Sequence, residues 1–238
     1  MIVVLVVAGI ALLVTICVIV AVVLTFWVSG VPQQTGEVKT STRSTTSDKA
    51  KQLAKALVDY ERANRQFPPA AFGDGSQPNL SWRVALLPYL NDKLLYTYIR
   101  RDKKWNEDTN IAFTIDSHPA FQSEACPESK TSNRTAFVAV VGPNTVLQQG
   151  QSHQRRSIAD GADFTGVFLE VHESDIAWAE PRDITVDEAV RLIRNCRDPR
   201  GLTVGMANGN TIKITPNATE ESIRDLFICN DFMSQWRK

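Results

Sequence analysis

The stretch SDKAKQLAKALVDYERANR at Ser47–Arg65, running into QFPP at 66–69, decides how this chain folds. Ala50, Leu53, Ala54, Leu57 and Tyr60 recur at helical spacing and form one apolar stripe. Ser47 stands where an N-cap is expected, and Asp48 suits the positive end of the helix. The helix must stop before Phe67-Pro68-Pro69, because proline removes a backbone donor and pushes the preceding residue out of the helical region. A helix with a single apolar stripe needs a surface to cover.

The strand signals downstream supply that surface. Ala136–Val141 (AFVAVV) is a short apolar run closed by Gly142-Pro143. Val167, Leu169 and Val171 alternate with Phe168, Glu170 and His172, the pattern of a half-exposed strand. Leu202–Ala207 and Thr211–Ile214 flank Asn208-Gly209, a two-residue hairpin signal. Thr185–Cys196 and Thr219–Ile228 read as amphipathic helices. The expectation is an α+β domain, a helix packed on an antiparallel sheet, over residues 48–238.

Upstream the chemistry changes. Ile2–Val28 carries no charged side chain. As a helix this run would be about 40 Å long, against about 30 Å for the hydrocarbon core of a bilayer. It is expected to be a transmembrane anchor over residues 1–29, with the lipid bilayer as its partner. A cleavable signal peptide is the rival, with small residues at Ser29-Gly30, but its apolar stretch would be shorter and follow a basic region. A buried core helix is the third reading. Residues 30–47, rich in Ser, Thr, Gln and Gly, read as a flexible linker.

Lys and Arg number 26, as do Asp and Glu, so the formal net charge is zero. No basic stripe points to nucleic acid, and none is expected as a partner. The chemical motifs are few. His118, His153 and His172 lie in no HExxH, and no GxSxG, Walker loop or GxGxxG is present. Asp160, Asp163 and Glu170 form the one oxygen-rich stretch that would suit calcium, although its spacing matches no EF-hand. With His172, Asp160 and Glu170 would also be the carboxylates of a hydrolase. The plainer reading is a turn at Asp160-Gly161 and a solvated strand face, with no cofactor. Cys17 lies in the apolar run; Cys126, Cys196 and Cys229 leave an odd number whose pairing is open, and no CxxC exists. Trp82, Trp105 and Trp178 are expected to pack in the core.

Several segments, taken in order, resemble a planctomycete-type secreted or membrane-anchored family of unknown function with a pilin-like architecture. Phe67-Pro68-Pro69-Ala70 resembles its FPPA segment, and SWRVALLPYL at 81–90, with Trp82, Pro88 and Tyr89, is close to its consensus. Trp105-Asn106 is similar to its Trp-Asp, and Cys126-Pro127 to its Cys-Pro-Ser. AVVGPNT at 139–145, with Gly142, resembles its AVVGP-G-T. Asp160-Gly161 followed by VFLEV, which contains Glu170, resembles its DGTSNTI-x-VVE. Trp178 through Pro181 to Asp183 resembles W-x-x-P-x-D. The family's closing His-x9-Asp-Gly is degenerate here: Asp198, nine residues, then Asn208-Gly209. The apolar run lacks a prepilin's Glu and processed basic leader, so assembly into a pilus is not expected.

The resemblance implies these residues as structural rather than catalytic, and it implies export. The positive-inside count, Lys39 and Arg43 against Glu37, votes weakly for the opposite topology. The expectation is a single-pass membrane protein with its domain outside the cytoplasmic membrane, a non-catalytic structural or binding component of the cell envelope with an unidentified protein partner. A pseudopilin-like part of a secretion or surface assembly, and the envelope hydrolase, are the alternatives.

Overall fold

In the computed structural model, which describes residues 45–73 and 79–229, the striped helix α1 spans Thr46–Asn64. Its cap is Thr45, not Ser47. Thr45 Oγ1 accepts from the Asp48 amide while the Asp48 carboxylate accepts from the Thr45 amide at 3.0 Å. That reciprocal box needs an acid three residues after the cap, which Thr45-x-x-Asp48 provides. The helix therefore takes the last two residues expected in the linker. It ends at Arg65, whose φ of 64° turns the chain toward the prolines.

Ala71–Phe72 (β1) and Leu80–Ser81 (β2) form a small antiparallel ladder. Short helices follow: α2 (Trp82–Ala85), α3 (Lys93–Tyr98), α4 (Asp108–Thr114) and α5 (Glu128–Thr131). The main sheet comprises β3 (Phe137–Val141), β4 (Leu147–Gln148), β5 (Gln151–Ser152), β6 (Gly166–Glu170), β7 (Ile184–Thr185), β8 (Leu202–Met206) and β9 (Thr211–Ile214). Its order is β5-β4-β3-β6-β8-β9, with β7 also on β3. The expected antiparallel pairing holds for β3-β6-β8-β9. The sheet as a whole is mixed, because the two-residue strands β4 and β7 join β3 in parallel. Asn208-Gly209 makes the β8–β9 turn, with Gly209 at φ +94°.

Strand β6 is not half-exposed: all five residues are buried. The reason is a third layer. Helix α1 lies over β8 and β9 on one face of the sheet, and its stripe shares a core there with Phe137, Ala139 and Phe168. Helices α6 (Val186–Arg194) and α7 (Glu220–Phe227) cover the other over Val138, Val140, Leu169 and Val204. A bulge at Val167 shifts the register, so Val167 and Phe168 both join the α1-side core. On that side the Phe168 ring sits so close to Gly205 that a β-carbon there would lie 2.0 Å from it. Only glycine leaves room for the ring.

Among the described residues no helix is long and apolar enough to cross a membrane. The run at 2–28, Cys17, and the stretch from 30 to 44 lie outside the described residues.

Leu57 is fully buried beneath α1. Leu57→Ala is expected to destabilise the domain by about 2–5 kcal/mol in urea unfolding. Lys51→Ala, on the exposed side of the same helix, should stay within about 0.5 kcal/mol. Equal effects would mean that the stripe does not pack.

Candidate functional site

The most concentrated chemistry surrounds Arg83, whose side chain is fully buried. Ser81 caps α2 through its hydroxyl and fixes where Arg83 emerges. All five guanidinium donors are used. Nε donates to the Trp178 carbonyl at 2.8 Å. Nη1 donates to the Phe137 carbonyl at 3.2 Å and to Asp183 Oδ1 at 2.6 Å. Nη2 donates to the carbonyls of Glu180 at 3.0 Å and Arg182 at 3.1 Å. Asp183 Oδ1 also accepts from the Ala139 amide at 2.8 Å and from Trp82 Nε1 at 3.3 Å. Its other oxygen is buried without a hydrogen-bond partner among the described residues. Burial pushes the Asp183 carboxyl above the usual range, and the Arg83 charge opposes that shift.

A second polar row crosses the sheet on the α1 side. Glu170 of β6, Thr203 of β8 and Lys213 of β9 make it, with Thr203 and Lys213 in register across β8–β9. Glu170 is 2% exposed, yet both its oxygens are satisfied. Ser123 Oγ donates to Oε1 at 2.8 Å, Thr203 Oγ1 donates to Oε2, and Lys213 Nζ lies 3.8 Å away. Ser123 Oγ also meets Thr46 Oγ1 at 3.3 Å, tying the start of α1 to the row.

An open cleft lies elsewhere, between the end of the sheet and α6. This cleft, about 650 Å³, has an apolar floor of Val138, Val171 and Leu202, and a rim that includes His172, Glu188, Arg191 and Arg197. Beside it Asp198 is held down to about 2 by hydrogen bonds from Arg200. Charges of both signs over an apolar floor can hold a ligand by contact and orientation.

The candidate residues are not brought together. Among the three proposed for a hydrolase, only His172 lines the cleft. The strand ends at Glu170, so the alternation that would have aligned Glu170 with His172 stops there. Asp160 sits in the turn before β6, whose four-residue rise separates its ends by about 13 Å. Asp163 accepts from Asn208 Nδ2 at 2.6 Å, beyond the end of β8 remote from Thr203. Asp160, Asp163 and Glu170 therefore do not converge on one calcium, and among the described residues no group of three acids, histidines or cysteines could hold a metal.

The remaining motif residues serve packing and turns. Phe67 is buried and its amide donates to the His153 carbonyl at 2.7 Å; Pro68 is buried and Pro69 half-buried beside it. Pro88 and Tyr89 form a 3-10 turn, with Tyr89 edge-on to Tyr60. Trp82 stacks on Phe168, and Trp178 on Phe121, while Trp105 packs against the same core from a half-buried position. The Gly142 carbonyl accepts from Thr145 Oγ1 at 2.9 Å, Gly161 has φ +88°, and Pro181 precedes the Asp183 anchor. Cys126, Cys196 and Cys229 are all free thiols; burial raises Cys126, and pushes Cys229 up to about 12 with help from the Asp160 charge.

Sequence reading missed Arg83 as a functional anchor of the fold. The signal was present: one charge inside the apolar run WRVALL, with an acid in the other aromatic motif. His118, 11% exposed, sets its ring at a tilt against both Phe121 and Trp178. Its Nδ1 accepts from the Ala120 amide and its Nε2 faces Asp92 at 3.3 Å.

Fold and site together define an α+β domain with a buried ionic anchor and an open, mixed-charge cleft. Residues 42–167, more than half of the chain, match a family described as a protein of unknown function, DUF1559, and the chain belongs to that family. The match ends at Val167, so Asp198 and Asn208-Gly209 lie beyond it. No curated protein and no solved structure matches the chain.

Removing one partner of a buried ion pair leaves the other uncompensated. Asp183→Asn is expected to cost about 3–5 kcal/mol in urea unfolding. Arg83→Met should do no better, because four carbonyls lose their donors. A loss below about 0.5 kcal/mol, the range of surface substitutions, would show that the pair holds nothing.

Burial lowers the pKa of His118 below its ordinary 6.5, with Asp92 pulling the other way. The unfolded chain therefore binds the proton more readily. The stabilisation from the neutral ring is complete above the unfolded value and is lost as pH falls through the folded one. The urea midpoint should fall between roughly pH 7.5 and 5, and fall less in His118→Gln. An identical slope in the variant would remove His118 as the cause.

Proposed function

We propose that this chain is a non-catalytic, membrane-anchored structural or binding protein of the cell envelope, its domain held outside the cytoplasmic membrane. The observation that carries the reading is the uncharged run Ile2–Val28 ahead of a folded domain that begins at Thr45. Such a run is costly in water and at home in hydrocarbon. Residues 29–44 would span at most about 60 Å if fully extended.

The charged and polar side chains argue for holding rather than turning over. Arg83, Asp183 and Glu170 are buried and engaged in bonds that fasten loops to the sheet. The cleft beside α6 offers a ligand an apolar floor and a rim of charged and polar groups that includes His172, Ser174, Asp175 and Cys196. The pilin-like element of the reading is supported by α1 lying across β8 and β9, and the export topology by the family resemblance of the motif series.

Topology is tested with reporters fused after Lys238. A reporter active only after export should be active, and one that fluoresces only in the cytoplasm should stay dark. Bright fluorescence without exported activity would overturn the envelope assignment.

A further inference from the structure

The surface of α3 and α4 carries apolar side chains that the fold does not use. Leu94 and Tyr98 lie one turn apart on α3 and are 64% and 52% exposed. Phe113 of α4, 38% exposed, stacks on Tyr98 with centroids 5.4 Å apart and rings nearly parallel. Both helices are short, so this stack orders a surface rather than a core. In the flanking sequence, residues 92–108 hold Lys93, Arg100, Arg101, Lys103 and Lys104 against Asp92, Asp102, Glu107 and Asp108. Asp102 is bonded by Arg100 at 2.7 Å, and Lys103 pairs with Glu107. Lys93 and Lys104 are exposed.

Aliphatic and aromatic groups flanked by long basic side chains match the chemistry of a bilayer interface. Tyrosine rings favour the headgroup level, lysine stems lie along apolar surface with the ammonium outward, and anionic headgroups attract the charges. The patch also has a suitable position. Lys49, one turn into α1, lines the same cleft as Asp92, the cap of α3. The cap of α3 thus lies beside the early turns of α1.

We infer that Leu94, Tyr98 and Phe113, with the flanking basic residues, dock the domain onto an anionic lipid surface. The inference rests on the anchored reading above. A patch of three side chains is too small to hold a free protein on a membrane. A tether changes that, because docking becomes intramolecular and the local concentration of lipid is high.

The test uses the full chain, one copy per nanodisc, in phosphatidylcholine with and without phosphatidylglycerol. Hydroxyl-radical footprinting reads side-chain access directly. Taking Leu94 from 64% exposed to a fifth exposed slows its oxidation by about threefold, and Tyr98 should follow. Slowing that is stronger with phosphatidylglycerol, with Phe164, 73% exposed elsewhere, unchanged, is the expected result. Leu94→Glu, a change on an exposed position, should restore fast oxidation of Tyr98. Discs that carry the protein with Leu94 and Tyr98 oxidised at the rate seen in lipid-free amphipol would overturn the docking and leave the anchor standing. Protection that requires two copies per disc would assign the patch to a second chain and equally overturn it. Failure of the chain to co-elute with discs would overturn the anchor, and the docking with it.

Discussion

The guanidinium of Arg83 holds the structure's irregular parts to its regular ones. The segment from Trp178 to Asp183 has almost no secondary structure of its own, so its carbonyls need donors once they are buried. Arg83 supplies them, reaching Trp178, Glu180 and Arg182 from one rigid fork. Asp183 then stands in for a strand. Strand β7 is only two residues long and begins at Ile184, so the Ala139 amide of β3 bonds to the Asp183 carboxylate instead of a backbone carbonyl. A lysine would offer a point charge, and could not serve four carbonyls and a carboxylate in one plane.

That anchor explains why the sheet can be buried on both faces. The chain must pass from β6 round the sheet's edge to reach α6, and the 178–183 segment is the passage. Once it is fixed against β3, α6 starts at Thr185 under a capping box with Glu188 and lays Ala189, Val190 and Ile193 on the second face. The first face belongs to α1, and Glu170 couples α1 to the sheet through Ser123 and Thr46. The cleft lies at the seam of this arrangement, between α6 and the strand ends.

Much of the frame was legible in the residues. Leu53, Leu57 and their neighbours specify α1, AFVAVV specifies β3, and Asn208-Gly209 specifies the β8–β9 hairpin. Periodicity identified α6 and α7 as amphipathic helices, but it does not say which surface a helix covers. Hence β6 looked half-exposed: Glu170 has the polarity of a solvated position, and only tertiary placement of Ser123 and Thr203 makes its burial affordable in free energy. The cap of α1 was displaced because Ser47-Asp48 resembles a local start, whereas the box depends on a residue two places earlier. Arg83 was signalled by one charge inside an apolar run, but its partners were not. Its five acceptors come from residues 54 to 100 positions away, and no local pattern encodes them. The scattered acids 160, 163 and 170 suggested a site because they are near in sequence, yet the rise of one strand separates them.

The central claim is that Arg83 and Asp183 make the 178–183 segment part of the same cooperative unit as the sheet. Native-state hydrogen exchange of the Ala139 amide tests it most directly, because that amide's acceptor is Asp183 itself. The account predicts that Ala139 exchanges only through the opening that also exposes Val204 in the centre of β8, with the same free energy and the same dependence on denaturant. Exchange of Ala139 through a low-energy opening insensitive to denaturant, while Val204 stays protected, would contradict it.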